Sequence, residues 1–151
     1  MTSYISKYWI VIPLTLLLAL FSCEEDLPKN IESYYQDRGG QFWVAEMDAQ
    51  VVGTIACEKL KDDEFVLKRM FVHNRARGQG IAQKLLDKVL SHLPANASIF
   101  LSTKEDEALA AKALYLKNGF MVVGKDELPQ EFPFFYEDNL FMKKVITNEN
   151  I

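Results

Sequence analysis

Apolar residues recur along the chain with two periods, and each change of period marks an element. Gln41 to Met47 and Val51 to Lys59 are β-branched and aromatic runs separated by Asp48, Ala49 and Gln50, the pattern of a hairpin. Lys61 to Glu64 make a turn, and Phe65 to Val72 continues with apolar side chains on both faces, which predicts a central strand. Beyond Gly80 the period lengthens. Ile81, Ala82, Leu85, Leu86, Val89, Leu90 and Leu93 recur at helical spacing, and Pro94 ends the run. Ser98 to Ser102 is a short strand, and Thr103 to Asp106 matches a capping box that opens a second helix. That helix runs to Asn118 and stops at Gly119, which takes the left-handed conformation of a helix end without strain. Phe120 to Val123 and Asn139 to Met142 are two last strands, joined by the loop Lys125 to Asp138. A short helix over Ile31 to Tyr35 and a turn at Gly39 and Gly40 precede the hairpin. The order β-β-β-α-β-α-β-β contains one strand-helix-strand crossover, hence a parallel pair inside an otherwise antiparallel sheet, an α+β fold.

Residues 24–144 thus form the domain, with a polar tail over residues 145–151. The first 23 residues differ in kind. Tyr8 to Phe21 is uncharged, follows Lys7, and ends in Ser22 and Cys23 before Glu24, Glu25 and Asp26. This apolar stretch falls short of the ~20 residues a bilayer requires. Three readings stay open: an export signal or lipid anchor, an uncleaved membrane-associating helix, or a strand and helix packed in the core or a mis-assigned start.

The 151 residues hold one domain rather than two, and with 49% hydrophobic and 25% charged residues they bury enough apolar surface to exclude wholesale disorder. The net charge of -4 argues against a nucleic-acid partner. Its distribution says more, because Val66 to Leu90 holds Lys68, Arg69, Arg75, Arg77, Lys84 and Lys88 against the single acid Asp87. A basic island in an acidic chain suits an anionic ligand, although a solvated charged face gives the same count. Cys23 and Cys57 offer neither a disulfide framework nor a metal-ligand spacing, so reduced thiols, a cytoplasmic setting and no metal are expected.

The segment that carries chemistry is the junction of the third strand and the first long helix, Arg75-x-x-Gly78-x-Gly80. Glycines there accept positive φ and let a ligand approach the backbone, while the first N–H groups of the helix point outward at the positive end of its dipole. Such a junction seats phosphate, and Arg75 and Arg77 would add charge-assisted hydrogen bonds. A tight strand-to-helix turn is the simpler alternative. The loop has neither the Gly-Lys-Ser/Thr ending of a P-loop nor the third glycine of a dinucleotide fold.

The run Met70 to Leu86, built around Arg75, Gly78 and Gly80, resembles the acetyl-coenzyme A motif of the GNAT N-acetyltransferases. Ala111, Leu114, Tyr115, Gly119 and Phe120 resemble that family's closing helix and following strand, and Phe42 to Glu46 with Val52 to Ile55 resemble its first hairpin. The resemblance covers Ile31 to Lys144 in order. It implies a mixed, mostly antiparallel sheet whose central parallel pair splays, flanked by helices. It implies that the co-substrate acetyl-CoA lays its diphosphate on the amides of Arg77, Gly78, Gln79, Gly80, Ile81 and Ala82, with Arg75 beside it. Pantetheine would run like an added strand along Met70, Phe71 and Val72, where a backbone N–H polarises the thioester carbonyl. Tyr115 would protonate the departing thiolate. As a residue alone, Tyr115 reads equally as a packing tyrosine on the apolar face of its helix.

The departures from the family pattern matter too. Ala108 stands where many members place an asparagine, and no acid lies within Phe65 to Val72, so Glu46, Glu58, Glu64, His73 or a water chain are the candidate bases. The leading reading is an acyltransferase that moves acetyl directly to an amine of a small molecule or protein, in a ternary complex with no covalent enzyme intermediate. The alternative is a coenzyme A-binding regulatory module without turnover. Phe132 to Tyr136, with Asp126, Glu127, Glu131, Glu137 and Asp138 around it, would border an acceptor site for a cationic amine, or pack in the core. Membrane contact through residues 8–21 and a homodimer are left open.

Overall fold

The computed structural model describes residues 4–6 and 30–147, which divide into two compact units. The first comprises residues up to Glu58 together with Lys68–Val89. Its hairpin is β2 (Gln41–Met47) and β3 (Gln50–Lys59), antiparallel with Gln41 opposite Cys57 and Met47 opposite Gln50. Asp48 and Ala49 make the turn at φ 53° and 59°, so Gln50, expected in the turn, instead starts β3. A further strand, β1 (Tyr4–Ser6), lies within the N-terminal 23 residues and pairs antiparallel with β2, Ile5 opposite Ala45. The rest of that segment, including Tyr8 to Phe21, lies outside the described residues, as does Cys23.

On one face of the hairpin, α1 (Ile31–Gln36) starts at Asn30, whose side chain accepts the Ser33 amide at 3.2 Å. It delivers Tyr35 into a cluster with Phe42, Val44, Val51 and Ala56, closed by Ile31, Tyr34 and Phe71. From the other face, α2 (Ile81–His92) buries Ile81, Leu85, Leu86 and Val89, and Gly53 of β3 leaves room for Ile81 and Leu85.

The second unit comprises Lys59–Leu67 and Leu90–Ile151. Strand β4 (Glu64–Val72) is divided between the units. Its first half pairs parallel with β5 (Ser98–Thr103) at Glu64 with Ser98, Phe65 with Ile99 and Val66 with Phe100. All six residues of β5 pair antiparallel with β7 (Leu140–Val145), and β6 (Met121–Val122) pairs with β7 in turn. Val66, Phe100 and Phe132 form a core with Leu60 and Leu128. The strands run in the order β1-β2-β3-β4-β5-β7-β6, a mixed and mostly antiparallel sheet with the parallel pair where the crossover demanded it.

The capping box is where the pattern misleads. Thr103 ends β5 opposite Leu140, and α3 (Leu109–Lys117) starts instead from Ala108, with no side-chain cap. The threonine backbone is committed to the sheet, so its side chain never meets a helix start. The expectation of a cytoplasmic chain in contact with a membrane also needs correction. No described helix is long and apolar enough to cross a membrane. The 12 residues of α2 rise about 18 Å, against a hydrocarbon core of about 30 Å. Residues 8–21 lie outside the described residues, so neither a compartment nor a membrane contact is established.

Gly40 enters β2 so close to β3 that a Cβ there would collide with the carbonyl of Cys57. Gly40→Ala is therefore expected to lower stability by about 2–3 kcal/mol, a fall in Tm of about 5–10 °C in a thermal melt.

Candidate functional site

In the first unit the site begins at an irregularity in β4. Lys68, Arg69 and His73 meet Glu58, Thr54 and Val52 respectively, contacts that run in opposite directions along β3 and β4 and so mark an antiparallel pair. Arg69 interrupts it with φ 55°, a left-handed conformation that costs a non-glycine residue about 1–2 kcal/mol. Three bonds hold this strained residue in place. The buried Thr54 hydroxyl donates to the Arg69 carbonyl at 2.7 Å, the Arg69 side chain hydrogen-bonds Tyr35, and the His73 amide donates to Val52 O at 2.7 Å beyond it. Burial raises the Tyr35 hydroxyl to about 12, an effect the Arg69 hydrogen bond opposes, so Tyr35 stays neutral. Next to it Lys68 Nζ and Glu58 Oε2 pair at 3.0 Å. Glu58, one of the candidate bases, is buried, and its Oε1 has no partner among the described residues.

After the bulge, Met70, Phe71 and Val72 are half-buried and lead into the glycine loop. A short 3-10 turn at Asn74–Ala76 buries Ala76, and His73 Nδ1 accepts the Arg75 amide at 3.3 Å. Of the two loop arginines, Arg77 donates its Nε to Val72 O at 3.1 Å and so ties the loop back to the strand. The exposed Arg75 guanidinium has no protein partner among the described residues. Gly78 and Gly80 have φ of 76° and 75°, and a Cβ built on either would meet nothing within 4 Å. Gly80 O accepts the Lys84 amide at 3.1 Å and opens α2, with Gln79 exposed, Ile81 buried and Ala82 half-buried behind it. The result is an open cradle of left-handed glycines and first-turn amides, with the exposed Arg75 three positions before Gly78. Its chemistry fits a diphosphate.

In the second unit Tyr115 lies in the last turn of α3, 4% exposed, its ring 5.4 Å from that of Phe120. Its carbonyl accepts the amides of Asn118 and Phe120 at 3.0 Å, and Gly119 turns the chain at φ 83°. Burial pushes the phenol well above its ordinary range, so it keeps its proton. The aromatic loop splits: Phe132 is core, Phe134 and Phe135 are about half exposed and Tyr136 fully exposed. Most of its acids have partners. Glu137 pairs with Lys104 at 2.5 Å, Glu127 accepts the Gly124 amide at 3.0 Å, and Asp138 accepts the Ser102 hydroxyl at 2.5 Å.

A family profile, the acetyltransferase (GNAT) domain, matches residues 38–122, a span that holds β2 to β6 and the whole glycine loop. The chain belongs to the GNAT acetyltransferase family. Among curated relatives this GNAT chain is similar to N-acetylaspartate synthetase of Danio rerio, 39% identical over 102 residues, 65% of this chain and 36% of that one. It is 35% identical over 107 residues to N-acetyltransferase 8B of Rattus norvegicus, 66% of this chain and 48% of that one. It therefore spans only about a third to a half of the curated relatives it matches. Two solved structures share the fold: a GNAT-family acetyltransferase from Staphylococcus aureus Mu50, with TM-score 0.82 and 27% identity over 97% of this chain and 100% of that one; and an acetyltransferase from Streptococcus agalactiae 2603, with TM-score 0.77 and 28% identity over 95% and 98%.

Three parts of this GNAT domain had no sequence signal: the left-handed Arg69, the Tyr35 contact 34 positions before it, and the Ser102–Asp138 bond across 36 positions. The Thr54 bond holds the first of them. Thr54→Val keeps the shape and removes the donor, so a loss of about 1–2 kcal/mol is expected in urea denaturation, with an unchanged m-value.

Proposed function

We propose that this domain transfers an acetyl group from acetyl-CoA to a primary amine by direct attack in a ternary complex, with no covalent enzyme intermediate. The observation that carries this reading is the cradle at Arg75 to Ala82: two left-handed glycines with open space above them, at a helix start, preceded by an exposed arginine with no side-chain partner among the described residues. Arg75, Arg77, Gly78, Gln79, Gly80, Ile81 and Ala82 would hold the diphosphate, and Met70, Phe71 and Val72 the pantetheine arm. The names of the curated relatives, N-acetylaspartate synthetase and N-acetyltransferase 8B, agree with amine acylation.

Tyr115 is the proposed acid toward the departing sulfur. Burial keeps the phenol protonated, as any donor to developing thiolate charge must be. The acidic aromatic loop, Phe132 to Tyr136 with Asp126, Glu131 and Asp138, is the proposed border of the acceptor site and suits an ammonium.

Gly78→Asp tests the cradle. It puts a carboxylate where phosphate would lie and is expected to weaken acetyl-CoA binding at least tenfold in calorimetry, while the wild-type affinity falls as salt rises. Unchanged affinity in a folded variant would move the phosphate site elsewhere. Tyr115→Phe tests the acid: the ring and its packing on Phe120 survive, acetyl-CoA affinity holds, and the chemical step slows by about 10²-fold or more. A coenzyme A-binding module without turnover would bind the donor and acetylate no amine in a steady-state panel.

A further inference from the structure

A primary amine reaches the protein as an ammonium ion, since its pKa is near that of lysine, ~10.4. It must lose a proton before its nitrogen can attack, and two of the residues considered from sequence for that task, Glu58 and His73, are otherwise engaged. Glu58 is ion-paired and buried. His73 accepts a backbone amide. Glu64 starts β4 opposite Ser98, at the other end of β5 from Ser102.

One edge of β5 is fully paired with β7, from Ser98 to Thr103. On the other edge its parallel register with β4 runs from Ser98 to Phe100. A carboxylate is built into the Thr103 end of the strand. Ser102 Oγ donates to Asp138 Oδ2 at 2.5 Å, and both residues are half-buried. The next residue is fastened twice: the Asn139 amide donates to Thr103 O at 3.1 Å, and Asn139 Oδ1 accepts the Glu105 amide at 2.9 Å. The Ser102 hydroxyl has one proton and spends it on Oδ2, so Oδ1 is the oxygen left for another donor, and it has no partner among the described residues. The chain neighbour of Asp138, Glu137, pairs with Lys104, which also meets Glu107, and Glu105, whose amide Asn139 holds, pairs with Lys112.

We infer that Asp138 is the catalytic residue that receives the acceptor ammonium and takes its proton, with Ser102 as the positioning residue that aims the carboxylate. The inference rests on the acetyltransferase reading above. The ammonium gives one proton to Asp138 Oδ1, which releases it to water. The amine lone pair then bonds to the acyl carbon as the carbon–sulfur bond breaks. The nitrogen's second proton replaces the one Tyr115 donates to sulfur, so the products are amide, thiol and one proton in solution.

The test measures kcat/KM against pH for the full chain with acetyl-CoA and the best wild-type amine from a panel of primary amines. Asp138→Asn should lose about 10²-fold at pH 7, with unchanged acetyl-CoA affinity by calorimetry. The deficit should shrink as pH approaches the amine's own pKa, and Asp138→Glu should recover part of the rate. Wild-type kcat/KM in Asp138→Asn, or a loss of the same factor at every pH, would overturn the assignment. Should Asp138→Asn not fold, Ser102→Ala decides: a roughly tenfold, pH-dependent deficit supports it, and none or a pH-independent one overturns it. A wild-type chain that binds acetyl-CoA but acetylates no amine would instead refute the acetyltransferase reading itself.

Discussion

The bond from Thr54 Oγ1 to the carbonyl of Arg69 fixes the point at which β4 stops behaving as an ordinary core strand. Phe65 to Leu67 are buried and paired on their β5 side as far as Val66, whereas Lys68 to Val72, the stretch that contains Arg69, are half-buried. A strand whose residues all stayed buried would leave no backbone for a ligand to pair with. A left-handed residue in mid-strand re-aims the residues beyond it, and here it costs strain that a hydroxyl, a tyrosine and a backbone amide together offset. Everything proposed about the cradle depends on that local departure from regular pairing.

Much of this was legible in the sequence because it depends on local rules. The hairpin arms, the amphipathic helix and Gly119 follow from alternation, a 3.6-residue period and the need for positive φ. The loop Arg75 to Gly80 was legible for the same reason, since only glycine takes φ near 75° without strain. The features that stayed hidden depend on tertiary partners. Thr103 carries the right residues for a helix cap, yet the sheet claims its backbone first. Asp138 looked like one acid among five until Ser102, on the strand next to β7, gave it a partner. Glu58 stood among the candidate bases until β4 brought Lys68 against it.

The basic island resolves into parts with different tasks. Lys68 is a structural cation paired with a buried glutamate, and Arg69 holds the bulge to Tyr35. Arg77 splits its loyalty between the loop and Val72, which leaves Arg75 as the guanidinium most able to meet an anion. Charge counting alone would have assigned them one shared role. The acidic loop divides the same way, with Glu137 paired to Lys104, Glu127 capping Gly124 and Asp138 bonded to Ser102.

The claim that the cradle and the strand beyond the bulge form one donor site is tested most directly by amide hydrogen exchange of the full chain with and without acetyl-CoA. Protection concentrated at the amides of Met70 to Val72 and Arg77 to Ala82 is the predicted result. Binding that left those amides unchanged and protected another part of the chain would contradict it.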